Sequence, residues 1–280
     1  MTVVPCTGID IELFYNICQL DSYDDLNELI AHSWLILDDD TNILRMHPIV
    51  ADVIKDQLAP TTDNCADYIV GIDREVGNLW YYSQKQRIEY WPLYASILAR
   101  LPKPSKTLWR CYSNASNIAW ICGYYQLAIE NQHRVLDFVQ KELPDDPRAL
   151  ALTALHMGGC YHNAGNDILA EPYYKAALKA QKIFTDDNSP NSDLLELSNC
   201  YQKVGRCAYL RGDFDVSRAY LEESLRINNL NKEQIDGTDT LVELALMSSA
   251  RKDYIAGLEY SQQALTRADI FYGKETPNHA

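Results

Sequence analysis

One unit recurs four times along this chain: Gly123-Tyr124-Tyr125 with Ala128 and Val135-Leu136, Gly165-Asn166-Asp167 with Ala170 and Ala177-Leu178, Gly212-Asp213-Phe214 with Ser217 and Ser224-Leu225, and Lys252-Asp253-Tyr254 with Gly257 and Ala264-Leu265. The anchors are 42, 47 and 40 residues apart, which is the sequence mark of an array of helical hairpins. Arrays of that kind bind partners and rarely do chemistry. At 280 residues and 47% apolar the chain can bury a sizeable core.

Each unit reads as two helices joined at the anchor. Before Gly165, the residues Ala154, Met157, Gly158 and Tyr161 fall at i, i+3, i+4 and i+7 and share one helical face. After it, Ala170, Tyr174, Ala177 and Leu178 repeat that spacing. Small residues at Gly158, Ala170 and Ala177 suit close helix backbones, and Tyr161 and Tyr174 fill the gaps between units. A hairpin of this size cannot close its own core, so stacking on neighbours is required.

The pattern resembles the tetratricopeptide repeat. In the unit from about 151 to 184 the match rests on Gly158, Tyr161, Gly165, Ala170, Tyr174 and Ala177. In the unit from about 198 to 231 it rests on Gly205, Gly212, Phe214, Ser217, Leu221 and Ser224, with Ala208 where an aromatic is usual. Weaker units flank these at 109–142 and 238–271. The spacing exceeds the standard repeat, and the linkers Phe184 to Pro190 and Phe271 to Pro277 are rich in turn formers. In this they look like the long-period repeats of kinesin light chains and of bacterial signalling proteins. On that resemblance Asn278-His279-Ala280 begins a further unit, and the chain reads as cut at its C-terminal end.

From Asp63 to Leu101 the pattern blurs. Trp80, Tyr81, Tyr82, Tyr90, Trp91, Tyr94, Ile97 and Leu98 suggest two more helices, a divergent first hairpin over 61–104 that caps the array at 105–280. Residues 1–60 differ again. Ile11 to Cys18 and Tyr23 to Ala31 read as helices, Trp34 to Leu37 and Ile43 to Met46 as strands about the turn Asp38 to Asn42, and Pro48 to Leu58 as a third helix. Helix, helix, hairpin, helix is compatible with a small winged-helix domain. The expected fold class is therefore all-α: a right-handed superhelix of tetratricopeptide-like hairpins preceded by a winged helix.

Charge restricts the partners. Residues 1–60 carry eleven acidic side chains against Arg45 and Lys55, a net charge of −9, and the whole chain carries −14. Neither nucleic acid nor an anionic membrane suits such a surface, because both reward Lys and Arg clusters. No apolar run approaches a membrane span, and no signal peptide opens the sequence, so a cytoplasmic location is expected. The eight scattered cysteines form no C-x-x-C and read as reduced, buried small residues.

Leu26 to Ile36 followed by Ile43 to Val50 resembles the winged-helix region of STAND nucleotide switches, the class that includes the NB-ARC ATPases. In that class a Met-His-Asp motif sends its histidine to the β-phosphate of bound ADP. Here the residues are Met46-His47-Pro48, so the resemblance assigns a nucleotide-linked role to His47, with Pro48 departing from the pattern. There is no G-x-x-x-x-G-K-[ST] phosphate loop and no Walker B strand end. The resemblance thus implies ADP or ATP only where the chain joins a nucleotide-binding domain, with an intramolecular contact to that ATPase domain.

No catalytic or metal site is expected. G-x-S-x-G, H-E-x-x-H and calcium-loop patterns are missing, and Asp38 to Asn42 reads as a hairpin turn. In the tetratricopeptide family the first helices line a groove for an extended peptide. Mapped onto this sequence, that groove carries Arg110, Asn117, Trp120, His162, Asn163, Gln202, Arg206 and Tyr209. The expected function is a non-catalytic ligand-sensing or protein-interaction module of a STAND-type ATPase, with a protein or peptide as ligand. Two other readings stay open: a peptide-responsive transcription regulator, and a plain scaffold.

Overall fold

The computed structural model describes residues 4–5, 7–57, 59–77, 83–231 and 235–272. Cys6, Leu58, the aromatic run Trp80-Tyr81-Tyr82 and the segment from Gly273 to Ala280, with the expected further unit at Asn278, lie outside the described residues. The chain divides into two compact units, Met1–Glu142 and Leu143–Ala280.

The first unit begins with β1 (Ile9–Asp10), α1 (Ile11–Cys18), α2 (Asp24–Ala31), β2 (Leu35–Asp38), β3 (Ile43–Met46) and α3 (Pro48–Gln57). This is the helix, helix, hairpin, helix order expected, with one addition. The two-residue strand β1 pairs antiparallel with β3, giving the sheet order β1-β3-β2. A strand so short has no period to detect, so only the fold reveals it. The hairpin turn is held by Asp38, whose Oδ1 accepts from the backbone N–H of Asp40 at 3.1 Å and of Thr41 at 3.3 Å, with Asn42 left-handed at φ 55°. Asp10 caps α1 by accepting from Leu13 N–H at 2.9 Å. Ile9, Phe14, Ile17, Leu26, Leu35 and Leu44 form the small core beneath.

Next come α4 (Ala66–Val76), α5 (Gln84–Glu89), α6 (Trp91–Arg100), α7 (Trp109–Ile121) and α8 (Tyr125–Glu142). Arg74 on α4 donates to the carbonyls of Asn16 at 2.6 Å and Ile17 at 3.3 Å, capping the end of α1. Tyr94 and Tyr112 are buried and donate to the carbonyls of Val76 and Leu101. Of the expected aromatic stripe, Tyr94 serves the interior, while Tyr90 and Trp91 are half-buried. Helix α7 is buried on every side from Cys111 to Ala119, and with α8 it makes the first regular hairpin.

The second unit contains three hairpins, α9 (Pro147–Asn163) with α10 (Asp167–Gln181), α11 (Asn191–Leu210) with α12 (Phe214–Leu230), and α13 (Thr238–Ala250) with α14 (Tyr254–Tyr272). The recurring anchors are the left-handed residues that end each first helix, with φ of 77° at Gly165, 86° at Gly212 and 66° at Lys252. At each, the next residue donates back to a carbonyl five positions earlier: Asn166 to Tyr161, Asp213 to Ala208, Asp253 to Ser248. Gly123 makes the same turn in the first unit, with Tyr124 donating to Ala119. Glycine recurs there because a Cβ is disfavoured at positive φ.

Two apolar clusters seal the hairpins. Ala154, Ala170, Tyr174, Ala177 and Leu178 meet Leu194, Leu197 and Val204 of α11, and Leu221 meets Leu244 and Met247 of α13. Gly158 has the close approach expected of it, since a Cβ there would sit 2.5 Å from the Tyr174 ring. Ser224 stands where neighbouring units have alanine. Its hydroxyl lies 2.8 Å from that of Ser198 and 2.9 Å from that of Thr240, tying α11, α12 and α13 through buried polar atoms. In α14 the equivalent of Leu178 is Leu265, and exposure rises from 7% to 46% because no described helix covers it.

Lys252 departs from glycine at a position that favours it. Replacement Lys252→Gly is expected to stabilise the protein by about 0.5–1 kcal/mol, and Gly212→Ala to destabilise it by about 1 kcal/mol. Urea unfolding of the two variants beside the wild type checks both signs.

Candidate ligand-binding face

Arginine distribution dominates the polar surface of the second unit. It has seven arginines, and every one reaches an acceptor in a neighbouring hairpin. Arg148 grips Asp193 with two bonds of 2.7 Å, and its guanidinium lies 4.3 Å from the Phe184 ring centre. Arg226 pairs with Asp187 at 3.0 Å, Arg251 with Asp215 at 2.7 Å, and Arg267 bonds Asn229 at 2.8 Å. Arg211 pairs with Glu171, and Arg218 stands 3.9 Å from Asp253. These are staples between successive repeats. Most are exposed, so their charges are screened by salt and each adds little by itself.

Arg206 is different because its buried partner, unlike the equally buried Asp193 that Arg148 holds by both oxygens, uses only one oxygen. Its Nη1 donates to Glu243 Oε1 at 3.0 Å, bridging the first helices α11 and α13, while Glu243 is only 5% exposed. Glu243 Oε2 and Arg206 Nε are both buried and have no hydrogen-bond partner. Burial raises the Glu243 carboxyl above its ordinary value, and Asp239 pushes the same way, against Arg206 and Lys203. Burial likewise lowers the Lys203 ammonium, against the pull of Asp239 and Glu243. Sequence reasoning missed Lys203 and Glu243. The one available signal was an acid 37 positions after Arg206, close to one repeat length.

The expected groove residues of this unit fall around that pair. Tyr209 packs beside Leu221, Leu244 and Met247, and burial raises its hydroxyl. Gln202 is buried. His162 Nδ1 contacts Asp167 Oδ1, across the turn between α9 and α10, and Asn163 donates to the Gly159 carbonyl at 2.7 Å. The structure thus gathers Arg206, Tyr209 and His162 near Glu243, turns Gln202 inward, and ties Asn163 into its own helix.

In the first unit the expected residues are engaged internally. Arg110 Nε donates to Asp73 on α4 at 2.9 Å, and the Trp120 indole donates to Asn117 at 3.2 Å, with Asn117 buried. His47 sits at the junction of β3 and α3. Its backbone N–H donates to the Trp34 carbonyl, and its Nδ1 accepts from Ile49 N–H at 3.3 Å.

Among the described residues, no cluster of three His, Cys, Asp or Glu side chains could hold a metal ion, and no helix is long and apolar enough to cross a membrane. Seven described cysteines are free, and burial raises the Cys111 and Cys160 thiols to about 12.

These hairpins, closed by left-handed turns and stapled across repeats, define an α-helical repeat fold of the tetratricopeptide type. Among solved structures the chain is similar to the crystal structure of BtubC (BKLC) from P. vanneervenii, with a TM-score of 0.57 over 95% of each chain and 17% identity. At that identity the likeness is one of fold. No protein-family model and no curated protein matches the sequence.

Glu243 gives this face a pH signature. Its carboxyl is raised above the ordinary 4.5, so the stability it contributes is full below that value and is lost as pH rises through the raised one. Glu243→Gln removes the ionisation. The stability of that variant relative to wild type is expected to rise between about pH 4 and about pH 7, by urea unfolding at both.

Proposed function

We propose that the first helices of the second unit bind an extended peptide segment, and that Arg206 and Glu243 are its central contact. The observation behind this reading is the pair of unused atoms, Glu243 Oε2 and Arg206 Nε, buried beside a hydrogen bond that uses one oxygen of the carboxylate. A buried polar atom without a partner costs free energy that a ligand can recover. Once the partly exposed Arg206 side chain shifts to open the pair, one peptide unit offers the matching groups, an N–H for the carboxylate and a C=O for the guanidinium. Tyr209 supplies an amphipathic ring beside them, and Lys203 adds a cation for an acidic side chain of the peptide.

Within the same reading, the chain is the ligand-sensing part of a STAND-type signalling ATPase. Met46-His47-Pro48 supports this by its place at the strand-to-helix junction. Because His47 Nδ1 accepts from Ile49, a neutral ring carries its proton on Nε2, where it can donate to a phosphate oxygen. The acidic surroundings do not suit a nucleotide by themselves, so the remaining contacts belong to a nucleotide-binding domain. Ligand capture then shifts such a switch by its differential affinity for the open and closed forms.

Selection of peptides from a random library against the full chain tests the groove. Enriched peptides are expected to lose about tenfold or more in affinity for Arg206→Ala and for Glu243→Gln, while Arg251→Ala, on the exposed staple, leaves affinity unchanged. Equal affinity for all three variants overturns the assignment. For the switch, the gene upstream of Met1 is decisive: a phosphate loop there supports it, and a gene without one sinks it.

A further inference from the structure

Helix α3 is left partly uncovered among its described residues. Its described side chains include none that is buried, yet Ile49, Val50, Val53 and Ile54 give it an apolar side. Ile49 is 69% exposed and Val53, one turn on, is 48% exposed. The adjoining sheet adds to this surface. Along β2 Leu35 is buried and Ile36 is 45% exposed, and Trp34, just before the strand, is 52% exposed. The two sets are neighbours, because Trp34 accepts from the backbone of His47, two residues before Ile49. Singly exposed apolar residues need no explanation, but four large ones on adjoining elements form a patch that marks an interaction site.

The charge around this patch selects its occupant. Asp39 and Asp40 at the hairpin tip, Asp52 on α3 and Glu28 on α2 are exposed. Arg45, opposite Ile36 on the outer face of the sheet, donates its Nε to the Thr7 carbonyl at 3.0 Å, and with Lys55 it leaves the acidic side chains of residues 1–60 in large excess. A second copy of the chain brings the same net charge of −9 over residues 1–60 to within a Debye length, and like charges at close range oppose that contact. Nucleic acid and anionic lipid are opposed for the same reason. We propose that Trp34, Ile36, Ile49 and Val53 form a docking surface for a basic protein segment that presents apolar anchors between Lys or Arg residues. This surface lies in the first unit and does not depend on the peptide groove of the second.

A labelled amphipathic helical peptide of about 18 residues, built from Leu and Lys, serves as the probe for the full-length chain, with binding followed by fluorescence anisotropy. The wild type is expected to bind it, and to bind severalfold more weakly as salt rises from about 50 mM to about 500 mM. The surface variant Trp34→Ser/Ile49→Ser is expected to lose about tenfold or more in affinity. Asp39→Asn/Asp40→Asn is expected to weaken binding and flatten its salt dependence, and Arg206→Ala to leave it unchanged. Circular dichroism confirms that the variants remain folded. Equal binding by Trp34→Ser/Ile49→Ser, equal binding of the peptide with Glu in place of Lys, or self-association that this double variant abolishes would each overturn the proposal. Loss of binding in Arg206→Ala would do so too, by moving the peptide to the groove.

Discussion

A two-helix hairpin has one apolar face that its own helices cannot cover, and the organisation of residues 143–280 follows from that deficit. Leu178 on α10 is buried because α11 lies over it, and Leu221 on α12 because Leu244 and Met247 of α13 do the same. Leu265 on α14 has no described helix above it and is half exposed. The apolar term sets the stacking. The left-handed turn at Gly165, Gly212 and Lys252 fixes the angle at which each second helix leaves the first, so that its stripe meets the next hairpin.

Once stacking is set, polar chemistry between hairpins becomes regular. A guanidinium on one helix finds its carboxylate roughly one repeat further along or back, as in Arg148 with Asp193, Arg226 with Asp187 and Arg251 with Asp215. This arrangement consumes the cations that a sequence reading would offer to a ligand. Arg110 shows it in the first unit, where Asp73 holds the guanidinium that the repeat pattern placed in a groove. Arg206 stands apart because its buried partner uses only one carboxylate oxygen, so that both members of the pair keep a buried polar atom without a bond, whereas at Arg218 and Arg267 only the guanidinium Nε is left over. The proposed peptide site is therefore a place where the stapling logic is incomplete.

The two units present opposite problems to a partner. In the second, polar atoms are buried without enough bonds; in the first, apolar side chains of α3 and β2 are exposed without enough cover. Each imbalance points to its own kind of ligand. In the two proposals a peptide backbone would answer the first through hydrogen bonds, and an apolar-anchored basic segment the second through burial and charge.

Much of the fold was legible in the sequence because it rests on local rules. Glycine at a left-handed turn, small residues at a helix crossing, and apolar residues at i, i+3 and i+4 are properties of a short window, and Gly165, Gly158 and Leu178 do what those rules require. The hairpin at Asp38 to Asn42 was legible for the same reason. Pairings across about a repeat length carry no such local mark. That Asn117 and Gln202 turn inward, that β1 joins the sheet, and that Glu243 answers Arg206 were decided by tertiary structure. Side-chain type limits which bonds a residue can make, but only packing brings its partner within reach and removes the water that would otherwise compete.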